Sequence, residues 1–234
     1  MESFLRVLRR QQLNHLRIDR QRSLDGAIRR LANRRAGTRI PSLALTDAVY
    51  GWGNEGWSAD EDYLTRVMTE AASAKGSILE CGSGLSTLLL AAVARQSGTR
   101  VHSLEHNEEW RQRVIGQLAA HDLSEYSIVH KVSLENYGEF DWYSLPESLP
   151  DDITLVVCDG PPSTTLGGRY GALPVLRKHL APVCNFLMDD ANRADEIEII
   201  SRWRLEPGIA SRHHKTRKGY ARVTVTSEPA RFAR

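Results

Sequence analysis

Four groups of residues in this sequence have the types and spacing to do chemistry. The first is Glu80-Cys81-Gly82-Ser83-Gly84, with Ser86 and Thr87 close behind. Gly82 and Gly84 allow backbone torsions and close approaches that a Cβ would block. A glycine turn between a strand and a helix brings main-chain N–H groups up to a ligand at the mouth of a parallel sheet. The second group is Glu105-His106, roughly twenty residues on, where a carboxylate can take a ribose hydroxyl pair. The third is Asp159, which closes an apolar run and precedes Gly160-Pro161-Pro162. The fourth is Asp189-Asp190, at the end of another apolar run. A dinucleotide fingerprint would place a third glycine where Thr87 stands, so no diphosphate cradle is present. An acid at Glu80 disfavours a pyrophosphate and suits a cationic ligand carrying an amino group and a sulfonium.

The elements that must position these groups follow from the apolar pattern. Ser77 to Cys81 reads as a buried strand, and Leu88 to Ala94 as the helix after it, capped by Ser86 or Thr87. Val101–Glu105 is a second strand, and Asn107 caps the helix with the stripe Trp110, Val114, Ile115, Leu118. Residues 127–134 form a third strand, with Ser133 at its end. Ile153–Cys158 is apolar throughout, as strands buried on both faces are. Asp159 then points beyond the strand's carboxyl end, where open α/β sheets bind ligands; the other reading is an Asp that bonds its own backbone in the turn. Asn185–Met188 precedes Asp189. Arg217-Lys218-Gly219 between 209–216 and 220–226 marks a terminal hairpin. The fold class is therefore α/β, a doubly wound Rossmann-like sheet of seven strands with a terminal antiparallel hairpin.

Ahead of it lie residues 1–40, an Arg-rich helical arm, with 41–234 as the ligand-binding domain. Leu13, Leu16, Leu24, Ile28 and Leu31 recur at helical spacing between arginines. Three readings of the arm stand: packing on the domain or on a second subunit as a homodimer, a surface for anionic partners, or a targeting peptide. Residues 41–58 read as a loop in which Trp52 or Trp57 either lines the site or packs. Ser58, with Glu61 three residues on, reads as a capping box. Residues 135–150 are a long aromatic connection. Ser163 to Gly171 is a loop able to close over a substrate, with Arg169 holding an anionic group or a neighbouring acid.

Glu80-Cys81-Gly82-Ser83-Gly84 with Glu105 resembles the first two motifs of class I S-adenosylmethionine-dependent methyltransferases. Asp159-Gly160-Pro161-Pro162, Gly168-Arg169-Tyr170 and Asp189-Asp190-Ala191-Asn192 resemble a bacterial branch with an Asp-Gly-Pro-Pro motif, distantly similar to catechol O-methyltransferase-like enzymes. The resemblance implies S-adenosylmethionine as cofactor, held by Glu80, Gly82, Ser83, Gly84, Ser86, Glu105, His106, Ser133 and Asp159. It implies catalysis by Asp159, Asp190 and Arg169, and a metal held by Asp159, Asp189 and Asp190. Asp190 falls where that family has asparagine, and no lysine follows Asp159 closely. Three clustered carboxylates repel one another unless a cation or a proton sits among them. Oxygen-only ligands favour Mg²⁺ or Mn²⁺; the competing reading is Asp159 or Asp190 as a general base without metal. The function expected is O-methylation of a small molecule or sugar. Its rivals are a non-catalytic cofactor-binding module and an aminopropyl-type transferase on the same fold.

Composition narrows the classes. The 234 residues are 41% hydrophobic, enough for a sizeable core. No apolar run approaches the roughly 20 residues that cross a bilayer. Cys81, Cys158 and Cys184 lack disulfide or zinc spacing. With no secretory leader in view, a reducing cytoplasm is the expected compartment. The net charge of +2 hides an asymmetry: residues 1–40 carry eleven arginines against Glu2, Asp19 and Asp25. The remainder is mildly acidic, so nucleic acid is not an expected partner of the domain.

Overall fold

In chain order, α1 is Glu2–Ala32, α2 Ser42–Trp52, α3 Glu61–Ser73, β1 Ser77–Cys81, α4 Leu85–Ser97, β2 Val101–Glu105 and α5 Glu108–Ala120. Then come β3 Ser127–Lys131, β4 Leu134–Asn136, β5 Asp141–Tyr143, β6 Ile153–Cys158, α6 Ala172–Leu176, β7 Leu180–Met188, α7 Ala194–Trp203, β8 Ile209–His214 and β9 Tyr220–Thr226. This computed structural model describes residues 2–35, 37–54 and 59–227. Trp57 and Ser58 lie outside the described residues.

The main sheet runs β3-β2-β1-β6-β7-β9-β8. Its first five strands are parallel, and β9 is antiparallel to both β7 and β8. Strand order reverses between β1 and β6, which opens a crevice at their carboxyl ends. Register sets what stands there. Cys81 lies beside Leu104 and Cys158, and Cys158 beside Met188. The residues that follow these positions, Gly82, Glu105, Asp159 and Asp189, therefore emerge along one edge.

Side chains alternate between the two faces of a strand, and the core divides accordingly. Ile78, Leu155 and Val157 pack under α1–α5, while Leu79, Cys81, Val156 and Cys158 pack against Trp142, Leu173 and Trp203 on the other side. The helix α1 is itself divided. Leu24, Ala27, Ile28 and Leu31 are buried, whereas residues 9–19 are exposed. The second half thus packs on the domain. Among the described residues, no helix is long and apolar enough to cross a membrane.

Four local expectations need correction. Residues 42–52 are a helix rather than a loop, because Gly51 is a contact glycine and not a turn: a Cβ there would lie 2.4 Å from the Leu24 backbone nitrogen in α1. Helix α3 is capped by Asp60, which accepts from the Tyr63 N–H at 2.9 Å. Helix α4 has Gly84 rather than Ser86 at its N-cap position, and Thr87 supplies the capping contact by accepting from the Gly84 N–H at 2.9 Å. The third strand stops at Lys131, and part of the aromatic connection folds into the antiparallel pair β4–β5.

Candidate active site

The glycine turn sits at the crevice where strand order reverses. Gly82 has φ 84°, a torsion that favours glycine. A Cβ on Gly82 would come within 3.3 Å of the Gly160 backbone, and one on Gly160 within 2.5 Å of the Tyr143 hydroxyl. The Gly160 N–H donates to the Cys81 carbonyl at 2.7 Å. Two loops therefore cross in contact, and only residues without side chains allow it.

Behind this turn Glu80 is buried, 1% exposed. Its Oε2 accepts from the Thr87 and Ser103 hydroxyls, both at 2.6 Å, and Thr87 Oγ1 in turn accepts from the Gly84 N–H at 2.9 Å. Its Oε1 is buried and makes no hydrogen bond of ordinary geometry among the described residues, while the Ser86 hydroxyl lies near enough to favour the charged carboxyl. Burial pushes the Glu80 carboxyl up to about 7, against the pull of the hydroxyl donors.

Glu105 holds the turn from the side. Its Oε2 accepts from the Ser83 N–H at 3.1 Å and the Ser83 hydroxyl at 2.8 Å, and its Oε1 from the Asn107 N–H at 2.8 Å. An ionised carboxylate offers about four acceptor sites, so one is left for a ligand hydroxyl. His106 follows, its ring 6.0 Å from Tyr143 and its Nδ1 3.4 Å from Glu105 Oε1. Ser133 stands next along the edge, exposed, its hydroxyl 3.1 Å from that of Ser144. Ser86, buried, lies in the first turn of α4.

A third tether on Ser83 was not legible. Trp110, expected only in the apolar stripe of α5, donates its indole N–H to the Ser83 carbonyl at 2.6 Å. Trp52 meets Trp110 edge-on at 5.7 Å, and the Arg113 guanidinium lies over both rings at 4.4 and 4.8 Å. Trp52 thus packs, and through Trp110 it braces the glycine turn. Trp110→Phe keeps the ring and removes the donor. A hydrogen bond is worth about 1 kcal/mol net, so the melting temperature is expected to fall by about 2–4 °C in a calorimetric scan.

The aspartates gather one strand further along. Among the described residues, Asp159, Asp189 and Asp190 each bring one carboxylate oxygen to within 4.8 Å of the others. Arg169 enters among them, only 4% exposed. It donates to the backbone carbonyls of Asp189 at 2.6 Å and Asp159 at 2.9 Å, and to the carboxylates of Asp159 at 3.2 Å and Asp190 at 3.3 Å. Glu196 lies 3.5 Å from its other side. Arg193 adds a second contact to Asp190 at 3.0 Å. Asp190 takes φ 55°, in the left-handed region, and such strain collects at functional sites.

Asp189 is different. Both its carboxylate oxygens are buried and make no hydrogen bond of ordinary geometry among the described residues, with the Asp190 N–H near enough to pull weakly on the charged form. Burial, and then the neighbouring Asp159 and Asp190, push its carboxyl up to about 8. Asp159, with 28% of its side chain exposed, reaches about 6, raised by burial and lowered by Arg169. Tyr63, buried in α3, donates its hydroxyl to the Leu187 carbonyl at 2.9 Å. The hairpin turn closes the far side: Gly219 and Lys218 carbonyls accept from the N–H groups of Ala191 and Asn192.

Residues 79–191, which hold every one of these acids except Glu196, match the family model described as a methyltransferase domain. That stretch is similar to a methyltransferase domain. Solved methyltransferases share its fold. The SAH-bound Podospora anserina methyltransferase PaMTH1 superposes with a TM-score of 0.61 at 12% identity, over 88% of each chain. A candidate caffeoyl-CoA O-methyltransferase from Staphylococcus aureus gives 0.56 at 13% identity, over 72% of this chain and 85% of that one. The N-terminal domain of human METTL16 in complex with SAH gives 0.53 at 14% identity, over 80% and 83%. No curated protein matches the chain by sequence.

Proposed function

We propose that this domain binds S-adenosylmethionine and transfers its methyl group to an oxygen of a small molecule or sugar. The observation that carries the reading is the buried Oε1 of Glu80, an acceptor with no hydrogen bond of ordinary geometry beside a glycine turn. A buried acceptor left unmet costs about 1–3 kcal/mol, and an ammonium group is the ligand that would satisfy it. Glu105, with its remaining acceptor site, suits the ribose hydroxyls. The SAH-bound state of two fold neighbours supports the assignment.

Methyl transfer needs alignment, exclusion of water and removal of one proton. The bond from sulfur to the methyl carbon breaks as the bond to the acceptor oxygen forms, and the hydroxyl proton leaves to a base. Asp159, partly exposed and with its carboxyl near 6, is poised to take that proton. Arg169 holds the tips of β6 and β7 in place through their carbonyls. The two Asp189 oxygens, without an ordinary hydrogen bond, fit a hard divalent cation, with Asp159 and Asp190 completing its ligands. Mg²⁺ or Mn²⁺ bound there would lower the pKa of an acceptor hydroxyl and orient its oxygen.

Two measurements test this. Calorimetry with S-adenosylhomocysteine is expected to show saturable binding below about 1 mM, a Kd range worth at least about 4 kcal/mol. Absence of binding there overturns the cofactor assignment. Methyl release in EDTA is expected to stop and to return with Mg²⁺. Full turnover in chelator removes the metal and leaves Asp159 as the base alone.

A further inference from the structure

The hairpin β8–β9 has a charge pattern that the cofactor seat does not explain. Residues 209–226 carry Arg212, Lys215, Arg217, Lys218 and Arg222, with His213 and His214, and no Asp or Glu. The chain as a whole balances 31 basic against 29 acidic residues, so this is a local excess. Where the hairpin faces α3, a cavity of about 380 Å³ opens, a size that accommodates a small ligand. Arg66, His214, Lys215, Thr65 and Thr69 are among its walls, and Asp62 is the single acid there.

Two nitrogens of this cavity's residues lack partners. Arg66 Nε and His214 Nε2 are buried without a hydrogen bond among the described residues. The imidazole of His214 is fixed by stacking on Tyr220, with centroids 4.5 Å apart and planes 9° from parallel. Glu70 is shared between Arg66 and Arg222 and offsets part of their charge. Burial lowers the pKa of His214, and the charges of Arg212, Arg66, His213 and Arg222 add to it.

We propose that this cavity is a phosphoryl-binding site. A guanidinium edge, an ammonium group and hydroxyls around one space match a tetrahedral dianion. The site also communicates with the carboxylates. The Thr216 hydroxyl and the Lys218 N–H both donate to Asp60, and the Gly219 carbonyl accepts from Ala191, the residue after Asp190. An anion on Lys215 and His214 would order the same turn that supports Asp190. This deepens the methyltransferase reading and rests on it in one respect: the phosphate belongs either to the methyl acceptor or to a free small phosphate.

The experiment uses the full chain with pyrophosphate as the probe, titrated by calorimetry. Wild type is expected to bind it saturably, and Lys215→Glu, at an exposed position, to weaken it at least tenfold, the loss of one charge-assisted contact. Arg66→Gln is expected to do the same. S-adenosylhomocysteine affinity, measured on the same samples, is expected to stay within twofold, which shows that the variants fold. Equal pyrophosphate affinity in wild type and Lys215→Glu, or no saturation in wild type, overturns the proposal. The source is read from methyl release with paired phosphorylated and dephosphorylated sugars. A preference for the phosphorylated member that Lys215→Glu abolishes places the phosphate on the acceptor; pyrophosphate binding without such a preference assigns a free phosphate. Failure of the methyltransferase reading shows separately, as loss of S-adenosylhomocysteine binding with the pyrophosphate titration intact.

Discussion

Arg169→Met is expected to cost this chain about 3–5 kcal/mol of stability, a large share of the roughly 5–15 kcal/mol that holds a domain folded. The guanidinium is 4% exposed, and its donors go to two strand-end carbonyls and two carboxylates, with Glu196 beside it. Methionine fills much of the volume. It leaves the Asp189 carbonyl without that donor and four acids without the cation between them. Arg169→Lys is expected to recover only part of the loss, because an ammonium lacks the planar fork that spans both carbonyls. Arg193→Ala is the control. Its side chain is half exposed and pairs with Asp190 from the solvent side, so a loss of at most about 1 kcal/mol is expected. Urea unfolding of the three variants decides the matter. A cost below about 1 kcal/mol for Arg169→Met would show that the acids are held by something else.

Arg169 also shows where sequence reasoning stopped. The three aspartates were legible as a group because each ends an apolar strand, and strand order brings the ends of β6 and β7 together. The repulsion among them demanded a cation. Arg169 holding a neighbouring acid was one of two readings open in the sequence, and the structure bears it out; which acids it meets follows from a loop whose path no periodicity encodes. The glycine turn and Glu105 were legible for the same reason as the aspartates: each sits at a fixed offset from a strand end. Gly51 misled because the signal for a turn and the signal for close helix contact are the same residue. Trp110 and Tyr63 carry polar atoms that an apolar pattern does not place. Their polar atoms reach Ser83 and Leu187, at sequence separations of 27 and 124 residues, distances at which spacing carries no information.

Glu80→Gln is expected to separate stability from cofactor binding. In the folded chain the Glu80 carboxyl titrates at about 7, against 4.5 when unperturbed. The folded state therefore binds the extra proton between those values. Its stabilising contribution is full below about pH 4.5 and is lost as pH rises through 7. At about 1.4 kcal/mol per pH unit, the wild-type chain gives up roughly 3 kcal/mol across that window. Glutamine cannot ionise. Its carbonyl oxygen still accepts from Thr87 and Ser103, while its amide takes the place of Oε1. The offset between the two proteins depends on how that amide is met, so the informative quantity is the slope. The stability difference is expected to shift by about 3 kcal/mol in favour of glutamine between pH 4.5 and 8. Asp159 and Asp189 contribute to both proteins and cancel in the comparison. Binding should move the other way. Loss of a charged acceptor for the ligand's ammonium is expected to weaken S-adenosylhomocysteine by about 30-fold or more, roughly 2 kcal/mol. Pairing with that ammonium also favours ionised Glu80, so at pH 6 binding to wild type should release close to one proton, seen as calorimetric heats that differ between buffers, and binding to Glu80→Gln should release fewer. Parallel pH–stability curves for the two proteins would mean that folding does not raise the Glu80 carboxyl, and equal S-adenosylhomocysteine affinity in wild type and Glu80→Gln would show that the buried oxygen is not the seat of the cofactor's amino group.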